Sequence, residues 1–123
     1  MARILVVDDA QIMRVNMIKM LKSLGHEVVG QAASGYDAIE QYKKLKPDLV
    51  TMDITMPAHN GIEDGIAATA EIIKFDPSAK IIMVTSHGEQ QKVIGAIQSG
   101  AANYMLKPIK IEKLTETIKK VLG

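Results

Sequence analysis

Five short apolar runs, each followed by a stretch of helical periodicity, constrain this sequence more than any other feature. Ile4 to Val7, Glu27 to Gln31 around Val28-Val29, Leu49 to Met52, Ile81 to Val84 and Asn103 to Leu106 have the length and residue types of buried strands. Between and after them apolar residues recur at helical spacing. Gln11 to Leu24 carries Ile12, Val15, Met17, Ile18, Leu21 and Leu24, with Gly25 as terminator. Ser34 can cap a helix whose inner face is Ala38, Ile39, Tyr42 and Leu45, and Pro47 stops it. A third helix runs through Ile66, Ala70 and Ile73, and a fourth, Glu89 to Gln98, carries Val93, Ile94 and Ile97. The last has Ile111, Leu114, Ile118, Val121 and Leu122 on one face and Lys110, Lys113, Lys119 and Lys120 on the other, a solvated face.

Strands alternating with helices imply parallel pairing, because each parallel connection needs a right-handed crossover and the helices are those crossovers. The expected fold is α/β, a doubly wound three-layer sandwich with a five-stranded parallel sheet and five helices. In the flavodoxin-like order 2-1-3-4-5 the ends of strands one and three meet at the switch point, where ligands gather. The chain of 123 residues suits one domain, expected over residues 1–123. A composition of 47% hydrophobic and 24% charged residues is that of a globular protein rather than a disordered one. A net charge of +1 gives no reason to expect a nucleic-acid or anionic-membrane surface. The absence of cysteine excludes disulfides, thiolate metal sites and a Cys nucleophile, and fits a reducing cytosol. The apolar run after Arg3 is too short for a signal peptide or a membrane span.

Under that strand order Asp8 and Asp9 lie beside Asp53, and Thr85 and Lys107 arrive from the next two strand ends. Three carboxylates held close together either take up protons or bind a hard cation. Mg²⁺ prefers oxygen ligands and commonly uses one or two carboxylates together with phosphate oxygens. A cation there would offset the repulsion between Asp53 and an incoming phosphoryl group, making Asp53 a candidate nucleophile for an aspartyl-phosphate. Lys107 could pair with one phosphoryl oxygen and the Thr85 hydroxyl could donate to another. Each residue alone has a plainer use, as a turn, cap or surface group. Their arrival together at four separate strand ends favours the chemical reading.

The segments ILVVDDA, VTMDITMP followed by NG, MVTS and ANYMLKP together resemble a response-regulator receiver domain, of the stand-alone kind found in chemotaxis, over the whole chain. The resemblance implies that Asp53 is the phosphoacceptor, and that Asp8, Asp9, Asp53 and the main-chain carbonyl of Thr55 hold Mg²⁺, Asp8 largely through water. It implies that Thr85 is the switch hydroxyl and Lys107 the phosphate partner, with a cis peptide before Pro108. Tyr104 matches an aromatic switch position, while Thr55 and His87 match variable positions that tune phosphate loss.

One departure from the family pattern concerns the segment after Asn60-Gly61-Ile62. There, Glu63 to Ala70 intervenes before Glu71-Ile72-Ile73, about four more residues than the pattern has, or near one helical turn. Either the third helix gains a turn, or the loop after Asp53 lengthens and Asp64 becomes the cap, which Gly65 favours.

The expected function is a two-component receiver that accepts a phosphoryl group from a histidine kinase and switches a protein-binding surface. The expected setting is a cytoplasmic, monomeric protein with no nucleic-acid or membrane partner, a flagellar motor component as target and a phosphatase as a further partner. Because the sequence stops after the fifth helix, output by protein contact is expected. The alternatives are a phosphorelay intermediate and a receiver-fold interaction domain that is not phosphorylated. A haloacid-dehalogenase-type phosphatase would want an acid where Ala10 stands, and Ala10-Gln11 lacks a flavin phosphate loop.

Overall fold

A computed structural model describes residues 2–123. The strands are β1 (Arg3–Val7), β2 (Glu27–Ala32), β3 (Leu49–Asp53), β4 (Ile81–Thr85) and β5 (Asn103–Leu106). The helices are α1 (Gln11–Ser23), α2 (Gly35–Leu45), α3 (Gly65–Phe75), α4 (Gln90–Gln98) and α5 (Ile111–Leu122). The sheet is parallel with order β2-β1-β3-β4-β5, as the alternation requires. Strand alternation divides the core into two layers. Leu5, Val7, Val50, Met52, Ile81 and Met83 face α2, α3 and α4, while Ile4, Val6, Leu49, Ile82 and Val84 face α1 and α5.

Several helices meet the core differently from their sequence pattern: in α1 Ile12 and Val15 are exposed while Met17 and Leu21 are buried, and in α5 Ile111 and Leu122 are exposed beside buried Leu114 and Ile118. In α3 the fully buried side is Gly65, Ala68, Thr69 and Ile72, with Ile66, Ala70 and Ile73 only half-buried. Small residues turn inward there because the helix lies close against the end of β3. In α4 only Ala96 is fully buried, and Ile94 and Ile97 are 60% and 45% exposed, so its apolar spacing does not mark a core face.

The added residues after Asn60 lengthen the loop rather than α3. Asp64 caps α3 by accepting from the Ala67 N–H at 2.9 Å. Ahead of it, His59 and Ile62 exchange both backbone hydrogen bonds across Asn60-Gly61, at φ 49° and 82°. Positive φ at both central residues gives the tight hairpin turn for which Asn-Gly is the preferred pair. This small hairpin rests on the start of α2, where His59 Nδ1 lies 3.0 Å from the Ser34 hydroxyl and its ring meets Tyr36 edge-on.

Candidate functional site

The register of the sheet brings the candidate side chains to one rim. Val7 pairs with Met52, Asp53 with Val84, and Thr85 with Leu106, so the residues that follow β1 and β5 stand level with the ends of β3 and β4. Hydrogen bonds fix this level: Ile54 N–H donates to Val84 O at 3.1 Å and Lys107 N–H to Thr85 O at 2.7 Å. The peptide bond between Lys107 and Pro108 is cis.

Asp8, Asp9 and Asp53 each offer a carboxylate oxygen within 4.8 Å of the others. Asp8 and Asp53 are 7% and 5% exposed, and Asp9 is exposed. Lys107 Nζ lies 3.4 Å from Asp8 Oδ2 and 3.2 Å from Asp53 Oδ1, bridging the two strands. Burial first, and then the charge of Asp8, raise the Asp53 pKa to about 6 against the opposing pull of Lys107. Burial works against the charge on Lys107, but Asp53 and Asp8 together hold its pKa above the ordinary lysine value. Three acids with one ammonium between them form a donor set of hard oxygens with unbalanced negative charge, which suits a divalent cation.

Two further groups hold the acidic loop. The Asp8 carboxylate accepts from the Ala10 N–H at 2.9 Å, an Asx turn into α1. Arg14 donates from Nη1 to the Asp8 carbonyl at 2.7 Å and from Nε to Gln31 Oε1 at 3.0 Å. Sequence reading passed over Arg14 because a single basic residue on a helix carries no distinctive pattern.

Thr85 is buried, and its hydroxyl donates to Glu89 Oε1 at 3.0 Å. The Glu89 carboxylate also accepts from the Thr55 hydroxyl and from the Ser86 N–H at 2.8 Å. Those donors, Thr55 foremost and then Ser86, hold the Glu89 carboxyl well below the usual carboxylate range. Glu89 was not singled out in the sequence, although Ser86 followed three residues later by Glu89 is a helix-start signature that could have found it. The Thr55 side chain, which the resemblance matched to a variable position that tunes phosphate loss, takes part in the tie between loops. His87 is exposed. Tyr104 is 43% exposed and borders a cleft with Thr85, Ser86, Val93 and Ile94.

An acidic rim at the switch point of a 2-1-3-4-5 sheet, with the lysine that follows the fifth strand closing it, is the arrangement of receiver domains. The response regulator receiver domain model matches residues 4–119, and the chain belongs to that family. Among individual proteins it is similar to the chemotaxis protein CheY of Thermotoga maritima, 47% identical over 97% of this chain and 96% of that one. It is also similar to the chemotaxis protein CheY of Bacillus subtilis, 48% identical over 98% of each chain. Among solved structures, the CheX-CheY-BeF3-Mg²⁺ complex from Borrelia burgdorferi superposes with a TM-score of 0.90 at 31% identity, covering 98% of this chain and 89% of that one. No helix among the described residues is long and apolar enough to cross a membrane.

Proposed function

We propose that residues 1–123 act as one receiver unit that takes a phosphoryl group from a phosphohistidine donor onto Asp53 and thereby changes a protein-binding surface, in chemotactic signalling. The observation that carries this reading is the ion-paired cluster itself: Lys107 reaches Asp8 and Asp53 at once, in a rim that also brings Asp9 within ligand distance.

In this reading an ionised Asp53 oxygen attacks the phosphorus and the P–N bond of the donor breaks. The leaving imidazole nitrogen keeps the electron pair, and Asp53 becomes an acyl phosphate. Asp8, Asp9, Asp53 and the Thr55 carbonyl are the residues that would hold Mg²⁺. The metal, when bound, neutralises charge on the phosphoryl oxygens. Lys107 turns from the Asp53 carboxylate to a phosphoryl oxygen, and Thr85 donates its hydroxyl proton to another. Attack of water on the acyl phosphate then releases inorganic phosphate and restores the Asp53 carboxylate, a second step that the same residues would assist. The proposed donor is a sensor histidine kinase and the proposed target a flagellar motor component, with a phosphatase as a further partner. A cytoplasmic monomer is the corresponding physical state. The names of the chemotaxis relatives and the Mg²⁺ in the Borrelia complex support this assignment.

The test is intact-mass measurement after incubation with phosphoramidate or acetyl phosphate and Mg²⁺. One phosphoryl group is expected on the wild-type protein, with none on Asp53→Asn and none when EDTA removes the metal. A folded wild-type protein that gains no adduct would instead be a receiver-fold interaction domain.

A further inference from the structure

Glu89 stands immediately before α4, and its carboxylate is a junction between the two loops that flank Asp53. Oε1 accepts from the Thr85 hydroxyl at 3.0 Å and the Ser86 N–H at 2.8 Å, while Oε2 accepts from the Thr55 hydroxyl. Lys92, one turn into α4, reaches Thr55 Oγ1 at 3.2 Å and Glu89 Oε2 at 3.5 Å. The Glu89 side chain is only 18% exposed, so this set is partly shielded from water. Glu89 is the N-cap residue of α4, and no side-chain hydrogen bond caps that helix. The bonds to Thr85 and to Thr55, the latter across a different loop, exceed what a helix cap requires.

A threonine hydroxyl carries one proton. While Thr85 donates it to Glu89, it cannot also donate it to a phosphoryl oxygen on Asp53. Two anions, one fixed in the protein and one delivered by the reaction, therefore compete for a single donor. We infer that Glu89 is a positioning residue that latches the Thr85 hydroxyl in the unphosphorylated arrangement, and that phosphorylation releases this latch. The inference rests on the reading of Asp53 as phosphoacceptor and names the regulation of that site. Release leaves Glu89 with one neutral donor fewer and loosens the bridge from Thr55 to the head of α4. The exposed side chains of Ile94 and Tyr104 lie along the same cleft as Thr85, so loosening at this point reaches the protein surface.

The test compares wild type, Glu89→Gln, Thr85→Ala and the double variant. Phosphorylation by phosphoramidate with Mg²⁺ is followed by intact mass, Mg²⁺ affinity of the unphosphorylated proteins by calorimetry, and folding by urea midpoint. Glu89→Gln is expected to raise the phosphorylation rate about fivefold, the factor that separates a charge-assisted hydrogen bond from a neutral one. Its Mg²⁺ affinity is expected to match wild type, and in the Thr85→Ala background the substitution is expected to have no further effect. An unchanged rate in Glu89→Gln overturns the latch while leaving phosphorylation of Asp53 intact. So does an equal acceleration in the Thr85→Ala background, which would assign the effect to charge acting through space. A wild-type protein that binds Mg²⁺ but gains no phosphoryl group overturns the proposed function, and the latch with it.

Discussion

Gly65 lies against the backbone of Asp53, and replacing it with alanine measures how tightly α3 seats on the site. A Cβ placed on Gly65 would lie 2.0 Å from the Asp53 carbonyl oxygen, 3.0 Å from its carbonyl carbon and 3.1 Å from Ile54 Cα. All three are backbone atoms of a central strand and its continuation, so no side chain can swing aside. The Gly65 N–H donates to the Ile54 carbonyl at 2.8 Å, and this bond ties the helix start to the same segment. Helix propensity alone would favour alanine by about 1 kcal/mol. Overpacking against an unyielding neighbour costs about 1–3 kcal/mol, and a contact this short with backbone belongs at or above the upper end. The net expectation is a loss of about 2 kcal/mol, a fall in Tm of roughly 6–10 °C for a domain of this size. Gly95, inside α4, is the control: its added Cβ would meet only Ile66 Cδ1 at 3.7 Å. Gly95→Ala should therefore gain about 0.5–1 kcal/mol. Urea unfolding followed by far-UV circular dichroism reads both, since the chain has no tryptophan. Gly65→Ala should also weaken Mg²⁺ binding, because the displaced backbone carries Asp53. A Gly65→Ala protein as stable as wild type would refute the close seating of α3 on β3.

Three further outcomes concern the electrostatics and the core. Because the Asp53 pKa is raised from 3.8 to about 6, its contribution to stability is complete below about pH 4 and is lost as pH rises through about 6. Without metal, Asp53→Asn should match wild type near pH 4 and exceed it at pH 7 by about 2–3 kcal/mol, read from urea midpoints across that window. Mg²⁺ at about a hundred times its Kd should add about 2.7 kcal/mol to wild type and little to Asp53→Asn. Tyr42 is 2% exposed and donates to Asp76 Oδ2 at 2.8 Å. Tyr42→Phe should cost about 1 kcal/mol in the same urea assay, a modest loss because half-buried Asp76 keeps its bonds from Ser78.

The strands and the rim were legible because each depends on short-range pattern plus one topological rule. A wholly aliphatic run buried on both faces reads as a strand in any context, and an acid at its end is visible without knowing its neighbours. The burial of α3 and α4 was not legible in the same way. Periodicity reports which residues are apolar, whereas the depth of a helix depends on what it rests against. Gly65, Ala68 and Thr69 face inward because α3 needs small residues there, and Ile94 stays exposed because no element among those described covers that side of α4. The four additional residues left two solutions open, an extra helical turn or a longer loop. Asp64 decides between them: it caps α3, which begins at Gly65, so the residues ahead of it belong to the loop. Glu89 escaped notice for a related reason. Its bond to Ser86 is local and has a sequence signature, but its bonds to Thr55 and Thr85 exist only once two loops distant in sequence are packed together.

The charge balance of the rim explains why these residues are both costly to the fold and suited to their proposed chemistry. Three ionised carboxylates and one ammonium leave a formal charge of −2, the charge that one divalent cation offsets. Without the cation the protein can lower that charge only by protonating an acid, and the raised pKa of Asp53 shows where the proton goes. A protonated Asp53 is a poor nucleophile, so the condition that relieves the fold also disables the attack. Binding a cation would reverse both effects, since it stabilises the ionised carboxylate and so keeps Asp53 a nucleophile below about pH 6 as well. In the proposed reaction, phosphorylation would replace a single negative charge on Asp53 with a phosphoryl group carrying about two. The added charge must find donors, and those within the rim are Lys107 and the hydroxyl of Thr85. Lys107 already faces Asp53, but Thr85 must first leave Glu89. On the proposed function, the demand created at Asp53 would be met by breaking the Thr85–Glu89 bond at the head of α4, which would link the chemistry of the rim to the conformation of the surface.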